Sequence, residues 1–266
     1  MYQLAILGNP VEHSLSPVVF NMFAKECGVD LNYIKILAND EVDFVKKAEE
    51  FFNSGGTAIN ITSPFKRAAY MFAKFHTARS SFSKASNFIT YSTNGELIAD
   101  TTDGLGILTD LEVNQGLDLK EKKILIIGSG YVLDSILMDL IPSNPQYIDI
   151  LARNNDRVEY LSNKFATGIF DSKKNYDIIL NSTPNVTGNK LFHEIDHVID
   201  SAFCYDLTYA HSRFLNIMKQ LNPKCRGCNG LGMLIEQAKV AFIKLFGHIP
   251  DSQLVFDGLA KMGYHV

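Results

Sequence analysis

The chain has 266 residues, of which 46% are hydrophobic and 20% charged, enough to bury one large core or two smaller ones. A net charge of −4 and a pI near 6.0 argue against nucleic acid or an anionic membrane surface as the main partner. No apolar run approaches the ~18 residues of a membrane span, and residues 1–6 lack the basic and apolar regions of a signal peptide, so the expectation is a cytoplasmic protein.

In chain order, short apolar runs alternate with helical patterns, which predicts an α/β fold. Leu4 to Leu7 reads as a strand ending in the turn Gly8-Asn9-Pro10. Ser16 is expected to cap a helix with Pro17 at its first position and Gly28 just past its end, whereas Ser14 has no capping duty. Tyr33 to Leu37 is a second strand and Glu41 to Phe52 an amphipathic helix. Thr57 to Ile61 is a third strand, followed by Ser63 as N-cap, Pro64 at the first helical position and helix to about Phe75, which puts Lys66 one turn in. Phe88 to Tyr91 and Glu96 to Ala99 flank Asn94-Gly95, a strong hairpin signal.

The rhythm changes near Thr102. Gly104 to Val113 reads as a connecting helix. Lys123 to Ile127 is a buried strand running into Gly128-Ser129-Gly130 and a helix through Ile141. Tyr147 to Leu151, Tyr176 to Leu180 and Ala202 to Tyr205 are further strands, with a helix over Asp156 to Phe165. Helical patterns cover Gly232 to Phe246 and Ser252 to Met262. Cys225 and Cys228 form a C-x-x-C, but no second pair or histidine cluster completes a zinc site, so incidental thiols and no metal are expected.

A glycine turn between strand and helix lets the backbone approach a pyrophosphate at the positive helix end. Gly128, Ser129 and Gly130 fit the start of that fingerprint, with bulky Tyr131 and Leu133 where small residues are usual. The second strand of the unit ends without the acid that would bind a ribose 2′-hydroxyl. It carries Arg153 and Arg157 instead, spaced to suit a 2′-phosphate, which points to NADP rather than NAD.

Four polar clusters remain: Ser14-Leu15-Ser16-Pro17, Asn60-Ile61-Thr62-Ser63-Pro64-Phe65-Lys66, Asn87, and Thr102-Asp103-Gly104. Singly, each is an ordinary cap, turn or solvated charge. Together with Arg153, Arg157 and the run from Asn229 to Ala238, they resemble shikimate dehydrogenase over nearly the whole chain. The resemblance implies a substrate domain, 1–102 completed by helices in 233–266, and a Rossmann-like NADP domain, 103–232, with the active site in the cleft. It implies that Ser14 and Ser16 hold the shikimate carboxylate with Tyr209 near it, that Thr62, Lys66, Asn87, Asp103 and Gln237 surround the ring hydroxyls, and that Asn60 is a further substrate-binding residue. Leu207 and Gly230 match positions bordering the nicotinamide. Lys66 would donate the proton as 3-dehydroshikimate is reduced, and Asp103 would orient it; His13 is a rival acid or base. The family is often monomeric or dimeric.

The chain departs from the family pattern chiefly on the cofactor side, at Tyr131, Val132, Leu133, Ala152, Asn154, Asn229 and Ser212-Arg213; Phe88 and Thr101 are further departures. That asymmetry leaves open a shikimate-binding paralogue with weak or lost hydride transfer. A quinate dehydrogenase is a third reading.

Overall fold

The computed structural model describes residues 1–184, 190–195, 202–209 and 211–266. The chain divides into two compact units, 1–106 with 235–263 and 107–234 with 264–266. The division after Gly106 lies past the expected boundary at 102, so Asp103 packs with the first unit.

The first unit holds strands β1 (Tyr2–Gly8), β2 (Leu31–Leu37), β3 (Ala58–Ile61), β4 (Phe75–His76), β5 (Phe88–Tyr91) and β6 (Leu97–Asp100), in the order β2-β1-β3-β5-β6-β4. β1 runs parallel to β2 and β3, and the chain reverses at β5. Strand residues alternate between faces. Ala5, Leu7, Ile59 and Ile61 pack on Phe44, Phe51 and Phe52 of α2 (Glu41–Asn53) and on Phe65. Phe20 and Phe23 of α1 (Ser16–Cys27) meet Phe242 of α9 (Leu231–Phe246), with ring centroids 6.2 and 5.6 Å apart. The hairpin expected at Asn94-Gly95 joins β5 to β6, and Gly95 adopts the positive φ of 76° that such a turn requires.

Several local expectations are corrected. Ser16 is the first residue of α1, not its cap; the N-cap is Leu15, in a right-handed conformation with no side-chain bond. The helix-entry bond comes from Ser14, whose Oγ accepts from the Ser16 N–H at 3.3 Å. The helix expected from Pro64 to Phe75 is shorter, α3 (Lys66–Phe72). A turn closed by the Phe65 N–H on the Thr62 carbonyl occupies its expected start, and Phe75 and His76 pair with Ile98 and Ala99. Lys66 therefore opens the helix. α4 (Ala78–Ser83), capped by Thr77, was not anticipated.

The second unit holds six parallel strands: β7 (Lys123–Ile127), β8 (Tyr147–Leu151), β9 (Gly168–Ile169), β10 (Ile178–Asn181), β11 (Phe203–Asp206) and β12 (Arg226–Asn229). Their order, β12-β11-β10-β7-β8-β9, is that of a doubly wound dinucleotide-binding sheet, so the expected α/β, Rossmann-like architecture is present. Ile124 and Ile126 face Leu133, Ile136 and Leu140 of α6 (Val132–Leu140) and Val158 and Leu161 of α7 (Asn155–Phe165). Leu125 and Ile127 face Phe214 and Met218 of α8 (Arg213–Leu221). The expected connecting helix is α5 (Asp103–Thr109), continued by a π-turn over Asp110–Asn114. β9, β12 and α8 were missed, and α10 (Ser252–Lys261) closes the chain as expected.

Candidate active site

The first unit gathers seven of the nine residues predicted for catalysis and substrate into two polar clusters, Lys66, Asn87, Asp103 and Gln237 in one and Ser14, Ser16 and Asn60 in the other. β3 delivers Asn60, and the Thr62 N–H continues its ladder to the Leu7 carbonyl at 3.0 Å. Phe65 is buried and stacked on Phe44 at 5.4 Å, which anchors the turn and fixes where α3 starts. Lys66 sits at that start, where the helix dipole disfavours a cation. What holds it there is Asp103: Lys66 Nζ lies 2.7 Å from Asp103 Oδ2, with the side chains 16% and 8% exposed.

Asp103 opens α5, where the helix dipole favours an acid. Its other oxygen accepts from Asn87 Nδ2 at 3.0 Å. The Thr102 N–H donates to Asn87 Oδ1 at 2.8 Å, which fixes the amide orientation. Asn87 Nδ2 thus faces Asp103, Thr102 Oγ1 at 2.9 Å and Gln237 Oε1 at 3.1 Å. The Thr102 hydroxyl lies 3.3 Å from both Asn87 Oδ1 and Gln237 Oε1 and adds a further donor, so amide, hydroxyl and carboxylate groups close a network around Asp103. A carboxylate and amide oxygens beside one ammonium suit a ligand that brings hydroxyl groups and one oxygen to be protonated.

The second cluster adds a residue that sequence reasoning missed. The Tyr33 hydroxyl donates to Asn60 Oδ1 at 2.9 Å and also bonds Ser16. Burial raises the phenol well above its ordinary pKa, with the Ser16 bond working against that shift. Tyr33 came from a strand with no motif, and only its placement beside β1 brings it to Asn60. Ser14 and Ser16 are buried at the same end of β1, and Thr62 is half-buried with its methyl filling the space a Gly8 side chain would need. His13 is exposed. Tyr209 lies beyond β11 in the second unit and is half-buried.

In the second unit, Gly128 leaves β7 with φ of 113°, and a Cβ there would lie 2.4 Å from Ser182 Oγ. A Cβ on Gly130 would meet nothing within 4 Å, so the backbone of the turn is open there. Leu207 and Gly230 are in contact: a Cβ on Gly230 would lie 2.3 Å from the Leu207 carbonyl oxygen. Arg153 is exposed at the end of β8. Arg157 is turned inward to Asp134 and the Ser129 carbonyl, with its guanidinium 5.2 Å from the Tyr131 ring centroid. Asn181 and Asp206, joined at 2.9 Å across the ends of β10 and β11, were not anticipated; burial raises the Asp206 carboxyl pKa. Their signal was a polar residue closing a buried apolar strand. Among the described residues, no group of three or more His, Cys, Asp and Glu could hold a metal ion.

A family model described as the shikimate dehydrogenase substrate binding domain matches residues 6–89. An NADP(+) shikimate dehydrogenase of Vesicomyosocius okutanii is 35% identical over 98% of this chain and 100% of its own length. That of Ruthia magnifica is 36% identical over 97% and 99%. A shikimate dehydrogenase solved in complex with NADP+ is 25% identical, with a TM-score of 0.84 over 98% of this chain and 96% of that one.

Proposed function

The chain belongs to the shikimate dehydrogenase family, and on that premise we propose that it catalyses the reversible, NADPH-dependent reduction of 3-dehydroshikimate to shikimate in aromatic amino acid biosynthesis. The observation that carries the proposal is the Lys66–Asp103 pair at 2.7 Å, with Asp103 tied in turn to Asn87. In this reading the first unit supplies every substrate residue but Tyr209, and the second binds cofactor. Ser14, Ser16 and Tyr209 serve the carboxylate, while Asn60, Thr62, Asn87, Asp103 and Gln237 serve the hydroxyls.

The open turn at Gly128–Gly130 and the exposed Arg153 fit a dinucleotide phosphate chain and a 2′-phosphate; Tyr131, Leu207 and Gly230 complete that set, and Arg157 braces the turn through the Ser129 carbonyl. NADPH, when bound, supplies the hydride to the ketone carbon. Lys66 then does the work of this chain: its ammonium donates a hydrogen bond to the ketone oxygen as negative charge develops there and passes the proton to it. Asp103 holds the amine against the helix dipole and accepts from the neighbouring hydroxyl. In the oxidative direction Lys66 takes the proton back. The Asn87 amide, fixed by Thr102, keeps Asp103 from rotating away. The proposal includes a cytoplasmic location, in keeping with four free cysteines, and shikimate rather than quinate as substrate.

Lys66→Ala tests the assignment. Turnover is expected to fall ~10²–10⁴-fold while the shikimate Kd moves far less. Near-normal turnover in that variant would remove the lysine from the mechanism.

A further inference from the structure

Asp134, on the first turn of α6, is 1% exposed and lies between two cations of α7. Arg157 Nη2 bonds its Oδ2, and Lys164 Nζ lies 3.0 Å from its Oδ1. Arg157 is committed further: Nε donates to the Ser129 carbonyl at 3.2 Å, and the guanidinium lies over the rings of Tyr160 at 4.5 Å and Tyr131 at 5.2 Å. Lys164 also donates to the Tyr160 hydroxyl at 3.1 Å. Arg153, by contrast, is exposed and has no hydrogen bond or ion pair among the described residues.

We propose that Asp134 is a positioning residue that sets cofactor selectivity: it holds Arg157 across the glycine turn as a strut, withdraws it from the 2′-phosphate, and leaves Arg153 as the main cation for that group. The inference rests on the NADP reading above and refines it. A phosphate could recruit Arg157 only by breaking or sharing its bond to a buried carboxylate. Breaking it leaves the buried carboxylate with Lys164 as its one remaining cation, and sharing it sets two anions on one guanidinium. The aromatic rings on the same guanidinium add a second restraint. The chain therefore discriminates NADP from NAD less sharply than two free arginines would.

The test is calorimetric binding of adenosine 2′,5′-bisphosphate and 5′-AMP, with NADP+ and NAD+ alongside, to the purified protein and its variants. The ratio of the two mononucleotide Kd values isolates the 2′-phosphate from any general loss of binding. Asp134→Asn is expected to raise the preference for the bisphosphate ~3–10-fold by releasing Arg157. Arg153→Leu should lower it by ~10-fold or more, while Arg157→Leu should leave it within ~2-fold. If Asp134→Asn does not fold, the two arginine variants decide alone. A lowered preference in Asp134→Asn, or equal losses in the two arginine variants, overturns the proposal. Wild-type protein that binds NADP+ and NAD+ while no variant shifts the ratio overturns this inference and spares the NADP reading. Wild-type protein that binds neither dinucleotide overturns both.

Discussion

Replacing Tyr33 by phenylalanine deletes one oxygen at the point where Ser16 and Asn60 meet. Asn60 Oδ1 is buried and would lose its donor, a cost of about 1–3 kcal/mol in a denaturant titration. Both residues the hydroxyl joins are assigned to substrate, so KM for shikimate is expected to rise ~5–20-fold with kcat within about threefold of wild type. A kcat loss matching that of Lys66→Ala would instead place Tyr33 in the proton path. Tyr33 was hidden because its partners lie 27 and 17 positions away. Lys66, Asn87, Asp103 and Gln237 were legible because their neighbours in sequence form recognisable groups. The helix-entry bond of Ser14 was missed because a hydroxyl two residues ahead of a helix can bond the backbone as readily as one immediately before it.

At the scale of elements, the strands that were easy to find are the ones buried on both faces. β7 and β8 are near-continuous runs of apolar side chains, and a parallel sheet covered by helices requires that. β12 reads Arg-Gly-Cys-Asn and carries no such pattern; it forms because β11 offers a parallel edge, and Gly227 lets it approach the Cys204 carbonyl. The turn from β12 into α9 is also tight. A Cβ on Gly230 would lie 2.3 Å from the Leu207 carbonyl oxygen and 2.7 Å from its carbon, and backbone cannot swing aside as a side chain can. Gly230→Ala is therefore expected to cost about 1–3 kcal/mol. It should also weaken NADP+ binding, because Leu207 and Gly230 move together. Unchanged stability would show that the approach of these segments is looser than the glycine implies.

At the scale of the molecule, the two units are assigned two ligands, and amide hydrogen exchange can read each separately. Shikimate alone, at about 100 times its Kd, stabilises what it binds by about 2.7 kcal/mol. Slowed exchange is expected in 1–106 and 235–263, around Ser14, Asn60, Lys66, Asn87 and Gln237. NADP+ alone should slow 107–234, around Gly128 and Leu151. Protection by shikimate centred on the second unit would overturn the assignment. What decides activity is whether the chain still turns over with an altered glycine turn. The most direct measurement is the loss of NADPH absorbance when the purified chain meets 3-dehydroshikimate. Steady NADPH consumption that stops when the ketone is exhausted, with shikimate as product, is the expected result; firm shikimate binding with no NADPH consumed would contradict it.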